Sequence, residues 1–400
     1  MALGRRIQAL LDESTSDPIH GIPGAVFVAV DRTGAQIAAN ASGVRGLNEK
    51  APMTLDAVFY IASCTKLIVA IAALQLVEQG KLSLDDAKQI KEYLPELSET
   101  RVINSEGKIG DVRKNDITLR MLLSHTAGYG YQFFNTTLRD TGYSFPMTLK
   151  ELLGSPVLFE PGTSWEYSIS FDIAGVLIER ATGKTLETYV RQYIFEPLGI
   201  TDFSFYVPQE KRLRLVGWHY RGGDASLSEG PCTVPVVTEG EAEIVQMGGS
   251  GGFATMIEYS KILATILAGG ASPTTHQRIL GENTVKLLLQ NLMPDMPDIG
   301  RKGLQDAIPI LSNVVPELYP QPGNPPQGWS MAGMVTLEAD STTGRIGNTV
   351  HWCGLLNLYW WLDSASGISG ILATQILPFW DDRVHKLREQ VEKAVYDSLI

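Results

Sequence analysis

Ile61-Ala62-Ser63-Cys64-Thr65-Lys66-Leu67 runs without a break into Ile68-Val69-Ala70-Ile71-Ala72-Ala73-Leu74-Gln75-Leu76-Val77. A run in which Gln75 is the one polar residue predicts a helix buried on every side. Glu78-Gln79-Gly80 ends it, since glycine accepts the left-handed conformation that follows a helix C-terminus. Ser63 then stands at the N-terminal edge, with Lys66 three residues on and facing the same way. The positive end of the helix dipole and the apolar surroundings both lower an amine's pKa, so a neutral Lys66 can take the proton of Ser63. That is the chemistry of an activated serine nucleophile. The same residues also suit an ordinary capping serine beside a lysine whose amine reaches water.

The pattern Ser-x-x-Lys is weak alone. Ser105-Glu106-Gly107-Lys108 matches it equally, in a polar segment with no apolar helix behind it, and reads as a solvated turn.

The chain has 400 residues, 44% of them hydrophobic, enough for one large core or two smaller ones. A net charge of −11 and a pI near 5.1, without a basic run, argue against a nucleic-acid partner. Cys64, Cys232 and Cys353 give neither an even disulfide framework nor a paired metal-ligand spacing, which implies a reducing, cytoplasmic setting, no metal and no cofactor. Residues 1–13 read as an amphipathic helix rather than an export signal, and no stretch has the length and apolarity of a membrane span.

Ala25-Val26-Phe27-Val28-Ala29-Val30, the turn Asp31-Arg32-Thr33-Gly34 and a strand through Ile37 form a hairpin. Ala57 to Ile61 is a further extended segment. Helices and long loops follow to about residue 245. Thr118 to Thr126 reads as a helix stopped by Ala127-Gly128. Beyond it the rings of Tyr129, Tyr131, Phe133 and Phe134 suit either core packing or the wall of a pocket. Pro161 to Ser170 turns into a helix from Asp172 and brings Tyr167 to that helix's N-terminus, although nothing in the pattern alone singles it out among 14 tyrosines.

Glu243 to Met247, Gly248-Gly249-Ser250-Gly251-Gly252 and a helical run from Phe253 fit a Gly-x-Ser-x-Gly nucleophile elbow. Asp363 and His385 follow in the order such an enzyme needs, but the parallel βαβ units of that fold are missing upstream, so a close-packed glycine turn is the favoured reading. Met293 to Gly328 is a proline-rich excursion. Strand-like runs come next at Ala332–Leu337, Thr349–Trp352, Leu356–Leu362 and Gly370–Gln375, and an amphipathic helix from about Asp381 to Leu399 closes the chain. Strands at both ends and helices between predict an α/β domain built from residues 1–62 and 246–400, with a mainly helical domain, 63–245, inserted and the active site at their interface.

Together these segments resemble the serine beta-lactamase and penicillin-binding-protein superfamily, in its family VIII carboxylesterase and lovastatin acyltransferase branch. The resemblance rests on Ser63-Cys64-Thr65-Lys66, Leu122-Leu123-Ser124-His125-Thr126-Ala127-Gly128, Trp165-Glu166-Tyr167-Ser168 with Asp172 and Gly175, and Phe195 to Asp202. It implies a beta-lactamase-like antiparallel sheet flanked by helices. It also implies Ser63 as the acylated nucleophile, Lys66 as its activating partner and Tyr167 as the proton relay. The edge-strand motif falls at Trp352-Cys353-Gly354-Leu355, so that the N–H groups of Ser63 and Leu355 would form an oxyanion hole, with Gly354 the alternative donor next to it. Trp352 replaces the lysine of the class C beta-lactamases' Lys-Thr-Gly, and Ile169 the asparagine of their Tyr-x-Asn. Both polar anchors for a β-lactam or peptide are therefore gone.

The expectation is a serine esterase or acyltransferase working through acyl-Ser63 on esters or thioesters of hydrophobic small molecules, in secondary metabolism, with an alcohol or water as acceptor. Tyr129, Phe133, Trp165, Ile169 and Trp352 would contact substrate. Two alternatives stay open at this point: an α/β-hydrolase using Ser250, and a small-molecule-binding protein without catalysis on the same fold.

Overall fold

A computed structural model describes residues 3–231, 245–296, 306–313 and 326–399. One sheet contains β1 (Gly24–Asp31), β2 (Gln36–Gly43), β3 (Gln327–Trp329), β4 (Met334–Thr336), β5 (Val350–Gly354), β6 (Leu358–Asp363) and β7 (Ile368–Ala373). The strands lie in the order β2-β1-β7-β6-β5-β4-β3, and every neighbouring pair is antiparallel. β1 joins the two ends of the chain, with Val28 opposite Ala39 on β2 and opposite Ile371 on β7. The run from Gly24 to Val30 is buried without alternation, as a strand covered on both faces must be.

The helices that position the site are α1 (Leu3–Thr15), α2 (Thr65–Glu78), α3 (Leu119–Leu123), α4 (Ser170–Thr182), α5 (Met256–Leu267) and α6 (Asp382–Asp397). α1 packs on β2 and on α6, while α5 packs on β1 and β7. α2, α3 and α4 pack among themselves, with α4 touching both of the others. Their ends follow local chemistry. Thr118 accepts from the Met121 N–H to start α3, Thr255 from Glu258 to start α5, and Asp381 from Arg383 and Val384 to start α6.

An all-antiparallel sheet rules out the α/β-hydrolase alternative, whose elbow needs parallel βαβ units. The strand expected before Gly248 is not seen in Val245–Met247, and Glu243 and Ile244 lie outside the described residues, as does Cys232. Of the stretch read as a proline-rich excursion, the described part ends in β3, which pairs with β4. Three short residues of pairing are too brief a signal for any periodicity to announce.

Candidate active site

α2 is buried from Thr65 to Gln75 and on to Leu76, so nothing on its surface is left to water but its last turn. A single 3-10 turn, Ala62–Cys64, precedes it. Ala62 adopts φ 44°, in the left-handed region where a residue with a Cβ is strained by about 1–3 kcal/mol. Its neighbours hold it there: the Ile61 N–H donates to Gly252 O at 2.9 Å, and the Thr65 hydroxyl donates to Ala62 O at 2.7 Å. The kink leaves Ser63 on a cavity wall at the mouth of α2, where the first N–H groups of a helix have no intrahelical acceptor.

Lys66 is 1% exposed. Its Nζ lies 3.1 Å from Ser63 Oγ, 3.1 Å from the Tyr131 hydroxyl and 2.8 Å from Gly249 O. The carbonyl can only accept, and the tyrosine hydroxyl can accept as well. A neutral amine therefore donates to those two and keeps its lone pair for the proton of Ser63. Burial lowers Lys66 from the ordinary amine range to about 7, against the opposing pull of the Asp172 carboxylate.

Tyr167 lies over this amine, its ring centroid 4.6 Å from Nζ, with Ser63 near enough to favour the charged form of its phenol. Trp352 Nε1–H donates to the Tyr167 hydroxyl at 3.0 Å. Burial pushes the Tyr167 phenol well above its usual range, so at neutral pH it carries its proton. Two potential bases thus differ in state: the amine is readily neutral, the phenol is not an anion. The His125 ring packs 4.8 Å from that of Tyr167, with Nδ1 accepting from the Ser168 N–H at 3.2 Å. Burial and the neighbouring Lys66 hold His125 well below its usual pKa, so it stays neutral.

The cavity measures about 300 Å³. It is lined by Ser63, Tyr167, Ser250, Trp352, Cys353 and Leu355, together with the rings of Tyr131, Phe133, Phe134, Phe145 and Phe379 and the aliphatic Met147 and Leu311. Tyr131 is held between Phe133 and Phe145, at ring separations of 4.9 and 6.2 Å. No charged side chain is among the lining residues. Such walls suit an uncharged apolar group.

Of the residues expected to touch substrate, Phe133 and Trp352 line the cavity, whereas Tyr129, Trp165 and Ile169 do not. The Tyr129 hydroxyl lies 3.4 Å from Thr100 Oγ1 in the core. Trp165 packs its ring against His125 and Trp329, and Ile169 is the buried residue that precedes α4. Leu355 lines the cavity directly after Gly354, whose Cα is pressed so close to Ile61 O that a Cβ would stand 2.7 Å from it. Sequence reasoning missed the bond of Tyr131 to Lys66 and the contribution of Phe145 and Met147. Tyr131 had been read as one ring among four, and no pattern pairs a loop tyrosine with a helix lysine.

The glycine turn reaches the cavity through Ser250, but its glycines are tightly packed and, among the described residues, Ser250 lacks the partners an elbow nucleophile needs. A Cβ on Gly249 would lie 2.6 Å from Asp172 Oδ2, and one on Gly252 2.8 Å from Thr65 Oγ1. Ser250 Oγ has no hydrogen-bond partner among the described residues. The histidine and acid proposed to serve it are engaged elsewhere, His385 with Arg388 and Asp363 with Tyr396. The rival Lys108 pairs with Glu106 on an exposed turn. Cys64 and Cys353 are free and buried, and burial raises both thiols, which keeps them protonated.

The family profile described as beta-lactamase matches residues 4–394. The chain belongs to the beta-lactamase family. Among its relatives, the lovastatin esterase of Penicillium rubens is 33% identical, covering 94% of each chain. The monacolin J acid methylbutanoyltransferase of Aspergillus terreus is 30% identical over 94% of this chain and 92% of its own. Simvastatin synthase (LovD) from Aspergillus terreus superposes with a TM-score of 0.83 at 27% identity, over 100% of this chain and 99% of that one. Within the beta-lactamase family this protein is thus a serine esterase or acyltransferase. No helix among the described residues is long and apolar enough to cross a membrane.

Proposed function

We propose that Ser63 is acylated by esters or thioesters of hydrophobic small molecules and that the acyl group then passes to an alcohol or to water. The observation that carries this reading is that Ser63 and Tyr167 stand on the wall of an uncharged aromatic cavity, with Lys66 Nζ buried behind them 3.1 Å from Ser63 Oγ. Neutral Lys66 takes the Ser63 proton as Oγ attacks the acyl carbon. The N–H groups of Ser63 and Leu355 hold the oxyanion, and the protonated Tyr167 hydroxyl hands a proton to the departing alcohol or thiol. In the second half the same groups run in reverse and activate the acceptor. The relatives' names, which specify lovastatin and monacolin J acid, support a bulky apolar substrate in secondary metabolism, and the cavity's lack of charge agrees with it. Trp352 in place of a carboxylate-binding lysine disfavours a β-lactam.

Exposure to a fluorophosphonate followed by peptide mass mapping tests the nucleophile. The expected adduct is on Ser63, absent from Ser63→Ala; ester turnover that survives Ser63→Ala would refute the assignment.

A further inference from the structure

Asp172 is a carboxylate that the chemistry above does not use. It sits in the first turn of α4 with 0% exposure. Its Oδ1 accepts from the Gly249 N–H at 2.7 Å, while Oδ2 has no hydrogen-bond partner among the described residues. The carbonyl of the same Gly249 accepts from Lys66 Nζ at 2.8 Å. The contact with the turn is so close that any side chain at residue 249 would collide with both carboxylate oxygens, at 2.6 and 2.9 Å. A buried carboxylate with one oxygen unbonded costs several kcal/mol unless a charge nearby offsets it, and a buried lysine has the same need.

We propose that Asp172 is a positioning residue that, through Gly249, holds Lys66 in place and stabilises the ammonium formed when Lys66 takes the proton of Ser63. This rests on the reading of Ser63 and Lys66 given above. In that step the Ser63 O–H bond breaks, the bond from Oγ to the acyl carbon forms, and the proton moves to the Nζ lone pair. Positive charge then appears beside a fixed negative one in a site that excludes water, where electrostatic stabilisation is strongest. The glycine turn acquires a role it does not have as a nucleophile elbow: it lets a carboxylate from α4 lie against the backbone that holds the amine.

The groups facing Lys66 come from every element around it. Cys64 shares its turn, His125 follows α3, Tyr131 and Tyr167 come from loops, Cys353 from β5 and Asp172 from α4. Burial drives the thiols and phenols up and the imidazole down, so each stays neutral near pH 7. Asp172, raised by burial to about 6 and drawn back by Lys66, is the one whose charge acts on the amine. Its negative charge favours protonated Lys66, so removing it favours the neutral amine.

The test is Asp172→Asn, which keeps an oxygen for the Gly249 N–H and deletes the charge. The rates kcat and KM are measured with p-nitrophenyl butyrate from about pH 5 to 9. The expected result is a kcat at least about tenfold lower at the plateau, KM within about twofold, and an acid limb displaced about one pH unit downward. An unmoved acid limb, whether activity is full or uniformly reduced, overturns the proposal, since a merely structural role lowers the folded fraction at all pH alike. Should Asp172→Asn fail to fold, Gly249→Ala pushes the carboxylate off the turn and is expected to move the limb the same way; failure of both to fold would make the pair structural and also overturn it. Fluorophosphonate labelling of the wild type separates the two levels. No adduct on Ser63 would sink the assignment of the nucleophile, whereas an adduct with an unmoved limb in Asp172→Asn would sink this inference alone.

Discussion

The indole N–H of Trp352 is a hydrogen-bond donor to the hydroxyl oxygen of Tyr167, 3.0 Å away, and the two rings meet edge to face at 4.8 Å. The donor is a neutral indole. It orients the phenol without adding charge, and leaves the phenolic proton free to point toward Ser63.

Trp352→Phe keeps the ring packing and deletes this donor. Loss of a buried hydrogen bond of about 1–3 kcal/mol predicts kcat lowered by about fivefold to 150-fold. Chemical denaturation should show the fold retained, and a kcat equal to wild type would mean that Tyr167 needs no such support.

The acid limb of kcat/KM in the wild type should lie near 7. Lys66 titrates at about 7 because burial disfavours its charged form, and the neutral amine is the active one. Activity therefore rises with pH through that range and levels above it. A profile flat across it would remove Lys66 as the base.

Lys66→Met removes the amine and should reduce acylation by at least about a hundredfold, read by the rate of fluorophosphonate labelling. Lys108→Ala, on the exposed turn of the rival Ser-x-x-Lys, should leave that rate unchanged. Equal rates in the two variants would mean that the pattern alone had misled.

Phe145→Ala opens the cavity on the side where its ring stacks on Tyr131. The specificity ratio kcat/KM for a branched or longer acyl ester over the butyrate should rise, by about tenfold for one or two methylenes of added room. An unchanged ratio would put the acyl group elsewhere.

Glu392→Gln should destabilise the protein by about 3–5 kcal/mol in urea denaturation, because it strands Arg345, whose partner it is in a buried ion pair. Activity per folded molecule should not change. The pair ties the loop after β4 to α6, away from the cavity.

The helix behind Ser63 was legible because burial on every side leaves a run with almost no polar residue, which no loop or exposed helix carries. The strands of the C-terminal half were legible by their turns. Tyr129, Trp165 and Ile169 show the limit: hydrophobic side chains in the right segment can face the core as easily as the cavity, and only packing decides. Asp172 and Gly249 show another. Each was visible in a motif, yet their contact spans distant segments whose approach is fixed by the fold of α4 against the turn.

β1 lies between β2, which follows it directly, and β7, Ile368–Ala373, far along the chain from both. A nascent chain therefore carries Val26 to Val30 with one strand edge unpaired until residues 368–373 have been made. By loop-closure entropy this long-range pairing is expected to be slower than the formation of any hairpin. A chain stopped anywhere before residue 368 would thus expose an apolar strand edge that invites aggregation.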